Sequence, residues 1–238
     1  MKRISRLGLV VFLGVLMICS GCVTTGGQGK SGSGSLSDGD IISGLKEALI
    51  VGTINAVLKV SKLDGYFGND KISIPLPESI RKYEDPLRKL GLGTQIDQFK
   101  TSMNRAAEKA APQAKEIFVN AAKQMSFTDA RKILFGKENE ATLYFKEKTS
   151  DTLTSMFKPI VHQTMAEVGV TKYYQLLSPQ LTLLSLGQSA PPDLDSYVTK
   201  LAVDGLFVMV GEEEKNIRNN PTARVTDILK KVFGGSGS

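Results

Sequence analysis

Asp193-Leu194-Asp195-Ser196-Tyr197-Val198-Thr199, then Asp204-Gly205-Leu206-Phe207, then Glu212-Glu213-Glu214-Lys215-Asn216-Ile217-Arg218, then Asn220-Pro221-Thr222-Ala223-Arg224 running to Leu229-Lys230-Lys231-Val232-Phe233: this run carries the densest set of helix signals in the chain. Asp193 follows Pro191-Pro192 and reads as a helix N-cap. Asp204-Gly205 reads as a joint between helical pieces, and Asn220-Pro221 as a break before a final amphipathic helix. Val225, Ile228, Leu229 and Val232 of that helix should dock on a core. The acidic triplet is not arranged for catalysis, because adjacent residues on a helix fan out by about 100° each. Glu214 and Arg218, four residues apart, read as a favourable surface pair. Arg218 and Arg224 are the residues placed to hold Glu213 or Asp204 in a buried ion-pair network.

Helical spacing continues toward the amino terminus. From Ile41 to about Lys62, Ile42, Leu45, Leu49, Val57 and Leu58 recur on one side, with Ser43 or Asp40 able to cap the start. Gly44, Ala48, Gly52 and Ala56 fall at every fourth position. Such a ridge admits another helix closely, either from a second copy of the chain in a homodimer or from within the same domain. Asp64 to Asp70 is a loop, and Lys71-Ile72-Ser73-Ile74-Pro75-Leu76-Pro77 alternates briefly before its prolines stop it, so it is extended or an edge strand at most. Glu78 to Leu90 reads as one short helix strained by Pro86 and closed by Gly91-Leu92-Gly93.

Thr94 to Ala111 places Ile96, Phe99, Met103, Ala106, Ala107 and Ala110 on one side, with Arg105, Glu108 and Lys109 facing away. Pro112 opens a helix to about Met125, and Ser126-Phe127-Thr128-Asp129 is a capping-box start for another that Gly136 ends. Glu140 to Lys148, Asp151 to Val168 and Thr171 to Leu184 continue the pattern, with Pro159 allowing a kink and Gly169 a stop. The fold class is therefore all-α: a single multi-helix domain over 41–233, with at most a short extended segment near 71–76 and a disordered tail at 234–238.

At 238 residues and 41% apolar content the chain supports one domain with a sizeable core, plus something at an end. That end is legible. Lys2, Arg3 and Arg6 precede an uncharged apolar run from Leu7 to Ile18, too short to span a bilayer and right for a secretory signal. Cys19-Ser20-Gly21-Cys22 resembles a bacterial lipobox, with Cys19 where that pattern carries Leu or another aliphatic residue. Residues 1–21 read as a signal peptide and Cys22 as the lipidated amino terminus of the mature chain; an ordinary signal peptide with Cys22 as a bystander is the alternative. Val23 stands where Asp is the usual inner-membrane retention signal, which by analogy directs the protein to the outer membrane, facing the periplasm. The Gly/Ser-rich stretch to Asp40 has the composition of a flexible tether about 17 residues long, with a reach of roughly 20 to 25 Å.

The same leader removes a misleading charge signal. The 30 basic residues less those three leave 27 against 24 acids, a net +3 where the full chain has +6, so bulk charge gives little support to nucleic-acid binding. Nor do the aromatics interleave with Lys and Arg as a stacking platform would. His162 is the lone histidine and reads as a partly buried helix residue; the Ser-His-Asp alternative lacks a Gly-x-Ser-x-Gly. With one His and no mature Cys beyond Cys22, no metal site or cofactor is expected.

Four segments carry a family resemblance: the closing run with its Asp204-Gly205-Leu206-Phe207, Gly44-Leu45-Lys46-Glu47-Ala48-Leu49, Ile74-Pro75-Leu76-Pro77 and Met103-Asn104-Arg105-Ala106-Ala107-Glu108. Together they resemble the bacterial domain-of-unknown-function family 4197, over roughly 41–234. The resemblance implies an exported, often lipidated helical protein and carries no activity or site residue with it. Two functions stay open: a non-enzymatic envelope lipoprotein that binds an envelope protein or an apolar ligand, and an unfamiliar hydrolase using Asp193, Asp195, Asp204 or Glu212 to Glu214, with or without a divalent cation. The second requires two of those carboxylates to converge in a cleft.

Overall fold

Ser37 starts the first helix. Its hydroxyl accepts from the Asp40 amide while the Asp40 carboxylate reaches back to Ser37, a reciprocal cap that places the start three residues before Ile41. A computed structural model describes residues 37–187 and 192–219. The expectations for the signal segment, Cys22, most of the tether, Arg224, the Asn220-Pro221 break, the final helix and the tail fall outside those residues.

The helices are α1 (Asp38–Val60), α2 (Glu78–Arg81), α3 (Glu84–Lys89), α4 (Gly93–Ala110), α5 (Ala114–Gln124), α6 (Phe127–Phe135), α7 (Glu140–Glu167), α8 (Val170–Leu184) and α9 (Leu194–Asn219). A single 3₁₀ turn, Ala111–Gln113, carries the chain from α4 into α5 around Pro112. No strand occurs among the described residues, so the all-helical expectation holds. Ser126 and Asp129 form the expected capping box of α6, and Asp193 accepts the Ser196 amide at 3.0 Å as the N-cap of α9. Gly91 and Gly169 take the left-handed conformation that ends α3 and α7, with φ of 83° and 84°.

Three boundaries differ from expectation. Residues 78–90 form two short helices: Pro86 sits in the first turn of α3, where its missing amide costs nothing, and the chain breaks ahead of it at Lys82-Tyr83. The pieces 140–148 and 151–168 are one helix, α7, which runs 28 residues with Pro159 on its exposed side. Asp204-Gly205 is no joint, because α9 passes straight through it. A Cβ at Gly205 would stand 2.9 Å from Tyr66 Cε1 and 3.1 Å from Ile72 Cβ, so this glycine serves close approach of a loop instead of a bend.

α9 packs against α7, α1 and α4, and α1 also against α5 and α6. Phe118, Phe145 and Phe207 meet edge to face with centroids 5.5 and 6.0 Å apart; with Phe99, Phe157, Leu153 and Leu206 they fill the centre. Each such side chain contributes roughly 1.5–3 kcal/mol by leaving water. α1 is long and apolar enough to cross a membrane by length and composition, yet nearly half of its most apolar stretch is buried inside the fold. In this fold its small-residue ridge is used internally: Gly44, Ala48, Gly52 and Ala56 are all buried, and Ile217 of α9 lies 3.0 Å from where a Gly52 Cβ would stand. The close-packing partner of that ridge is a helix of the same chain, and a dimer through it would have to displace α9.

Candidate functional site

The acids singled out from the sequence go separate ways. Glu212 pairs with Lys71, Glu213 with Lys59 of α1, and Glu214 with Arg218. Asp204 pairs with Lys200 at 2.6 Å, Asp195 meets His162 Nδ1 at 2.7 Å, and Asp193 caps its own helix. The Ser196 amide holds the Asp193 carboxyl below the usual carboxylate range. None of these six lines the depressions described below, and among the described residues no group of three or more His, Cys, Asp or Glu is placed to hold a metal ion. His162 is exposed, not partly buried, and the hydroxyl of neighbouring Ser196 takes a hydrogen bond from Lys158 at 3.0 Å.

Of the network expected of Asp204, Glu213, Arg218 and Arg224, the last lies outside the described residues, while Asp204 pairs with Lys200 and Glu213 with Lys59. Arg218 is bound by Glu214, which the sequence reading left on the surface; Glu214 is only 4% exposed. Its carboxylate accepts the amides of Ala141 at 3.0 Å and Thr142 at 2.8 Å, and the Thr142 hydroxyl at 2.7 Å. These are the second and third residues of α7, whose own N-cap residue, Asn139, contributes no side-chain bond. An acid of α9 therefore supplies the cap of α7, where orphan amides and the helix dipole favour an anion. Arg218 Nη2 meanwhile donates to Ile133 O at the end of α6, at 2.8 Å.

A second buried polar cluster fastens residues 64–74 to α4. Glu108, 4% exposed, accepts the amides of Tyr66 at 3.1 Å and Phe67 at 3.2 Å and is paired with Arg105, which also reaches Asp64 at 2.7 Å. Asn104 accepts the Ile74 amide at 2.7 Å and donates to its carbonyl at 2.9 Å, doing for one residue what a neighbouring strand would do. Tyr66 is wholly buried and donates to Ala202 O of α9 at 2.7 Å; desolvation, aided by the nearby Glu108 charge, pushes its hydroxyl far above the ordinary tyrosine value. Sequence reasoning faced Glu108 outward. The missed signal was that Asn104, Glu108 and Ala111 recur on the same face as the apolar positions.

Among the open depressions lined by described residues, three stand beside α4, α5 and α7. One of ≈ 340 Å³ lies between α4 and the α7–α8 corner, lined by Thr94, Asp97, Gln98, Thr101, Arg105 and Tyr173. A second of ≈ 280 Å³ lies across Asp97 from it, with Arg81, Arg88, Lys100 and Phe67. Arg88 bonds Asp97 at 2.6 Å and Glu84 at 2.8 Å, so the wall between the two is a fixed ion cluster that draws the Asp97 carboxyl down. A third, ≈ 460 Å³, between α5 and α7 contains Asp129, Tyr144, Lys148 and Thr152. Asp129 there is held low by the Ser126 hydroxyl, and Tyr144 spends its proton on Ala121 O at 2.9 Å. The second and third present hydroxyls, amides and paired charges beside about as much apolar surface, whereas the first, with Val168 and the Tyr173 ring in its lining, is mostly apolar.

The profile of a family described as "Protein of unknown function (DUF4197)" matches residues 35–234. No curated protein and no solved structure matches the chain.

Proposed function

From the premise that the chain belongs to this DUF4197 family, we propose that it is a lipoprotein of the cell envelope that acts by binding and not by catalysis. Its amino terminus supports the anchoring half: a basic start, a short apolar run and small residues before Cys22, with Val23 favouring the outer membrane and a Gly/Ser tether leading into the domain. The observation that carries the other half is the fate of the acids. Glu108, Glu213 and Glu214 are buried, and each is closed by cations or backbone amides whose loss would open the fold. The groove of α4, mostly apolar and lined by Thr101, Val168 and Tyr173 among others, is the surface we assign to a segment of an envelope partner.

Two measurements test this. The chain, expressed with its own leader in a Gram-negative host, should incorporate radiolabelled palmitate and fractionate with the outer membrane, and Cys22→Ser should abolish both. A photocrosslinking amino acid at Thr101 should trap a discrete envelope protein, while the same group at the exposed Lys115 should not. An unlabelled, freely soluble chain would sink the anchoring half, and identical crosslinking from both positions would sink the groove.

A further inference from the structure

α6 carries an arrangement that neither the packing of the domain nor the groove accounts for. Its buried side, Ala130 and Ile133, faces the core, and its other side presents Phe127, Arg131 and Phe135 at i, i+4 and i+8. The Arg131 guanidinium stands over both rings, 5.8 Å from each centroid. Phe127 is 48% and Phe135 78% exposed, the two most exposed phenyl rings among the described residues. Among those residues Arg81, Arg88, Arg105 and Arg218 all have carboxylate partners, and Arg131 has none. Of the nearby acids, Asp129 is folded onto Ser126 and Glu140 faces Lys132 at 3.7 Å, leaving Glu138 on the turn beyond.

An unpaired guanidinium between two solvent-facing rings matches one environment well: the boundary where phosphate headgroups meet acyl chains. There the rings leave water and the cation keeps an anionic partner. The position of α6 agrees. Lys46 of α1 donates to Lys123 O, three residues before the α6 cap, at 3.1 Å. Lys46 lies eight residues into α1, about 12 Å from its start along a helix that rises 1.5 Å per residue. α6 thus starts beside the first half of α1, the helix that follows the tether in the chain. We infer that α6 is a second membrane contact, inserting Phe127 and Phe135 into an anionic phospholipid surface with Arg131 on the phosphates. This rests on the lipid-anchored reading above.

The chain contains no tryptophan, so a single introduced indole is its only such emitter. The test uses the full acylated chain as Phe135→Trp, and as Leu183→Trp on the exposed side of α8 for comparison. Both are reconstituted into phosphatidylethanolamine–phosphatidylglycerol vesicles with or without brominated acyl chains. An α6 lying at the headgroup boundary should cost the Phe135→Trp protein about half its emission to the bromines, at the 5–10 Å depth of interfacial helices, and the Leu183→Trp protein little. Equal quenching of both, or none in either, overturns the inference. So does Phe135→Trp emission that is already blue-shifted without vesicles and unchanged by them, which would mean that residues beyond Asn219 or a second copy cover the rings. Flotation of the same samples separates the two claims: vesicles that carry the protein without quenching leave the anchor standing and reject the contact, and protein that does not float rejects both.

Discussion

Glu214 and Arg218, one turn apart on α9, close the ends of two other helices: the carboxylate sits on the first amides of α7 and the guanidinium on the carbonyl of Ile133 near the end of α6. The corner between α6 and α7 is thereby fixed from outside by a single turn of a distant helix. Truncating Arg218 removes the cation beside the buried Glu214 carboxylate, and truncating Glu214 strands the first amides of α7, each a loss of about 3–5 kcal/mol. Glu214→Ala and Arg218→Ala should each lower the unfolding free energy extrapolated from urea titration by that much, and the double variant by clearly less than the sum. Additive losses would mean that the two act independently.

Glycines of α9 should respond in opposite directions. Gly→Ala inside a helix gains up to about 1 kcal/mol from backbone propensity. At Gly205 that gain meets the buried Tyr66 ring and Ile72, and overpacking of this kind costs about 1–3 kcal/mol. At Gly211 the nearest atom, Thr142 Oγ1, is at an ordinary 3.4 Å. Thermal melts should place Gly205→Ala below and Gly211→Ala above the parent chain.

Asn104 tests the stand-in for a strand. Asn104→Ala strands the amide and carbonyl of Ile74, with an expected cost of about 2–4 kcal/mol for two buried backbone groups. Asn104→Asp should be no better, because a carboxylate cannot donate to the Ile74 carbonyl. Limited proteolysis should then cut within 63–74 before any other part of the domain. Global unfolding with no preferred cut would show that this segment is not held separately.

Alkaline pH should destabilise the fold through Tyr66. Its hydroxyl is pushed up by burial, so above the unfolded value of about 10 the unfolded chain releases a proton that the folded chain keeps. Stability is fully present below that pH and falls as pH rises beyond it. Tyr66→Phe should lower stability at neutral pH by about 1 kcal/mol for the bond to Ala202 O and flatten the alkaline slope. Denaturant titrations between neutral pH and pH about 11 read both effects.

What the sequence made legible follows from range. Caps are local chemistry, and Ser126 with Asp129, Asp193, Gly91 and Gly169 all act where their neighbours indicated. The unbroken run through Asp204-Gly205 depended on what packs alongside, Tyr66 and Ile72, which no window of a dozen residues contains. The polar residues show the same limit. Glu214 and Glu108 looked solvated because their donors, at Ala141 and Tyr66, are 73 and 42 positions away in the chain. The triplet Glu212 to Glu214 did diverge as helical geometry requires, and that part of the reading needed only the helix.

Tyr66 reaches across 136 positions to bond with α9, and Glu213 across 154 to Lys59. Contacts of such separation form slowly and late. A ribosome would have released nearly the whole domain before the helix that seats residues 64–74 and caps α7 exists. Until then the chain has local helices without a closed interior, a state that can still pass through a narrow channel as an unfolded thread. The order in which its parts are synthesised would delay closure of the domain until α9 has been made.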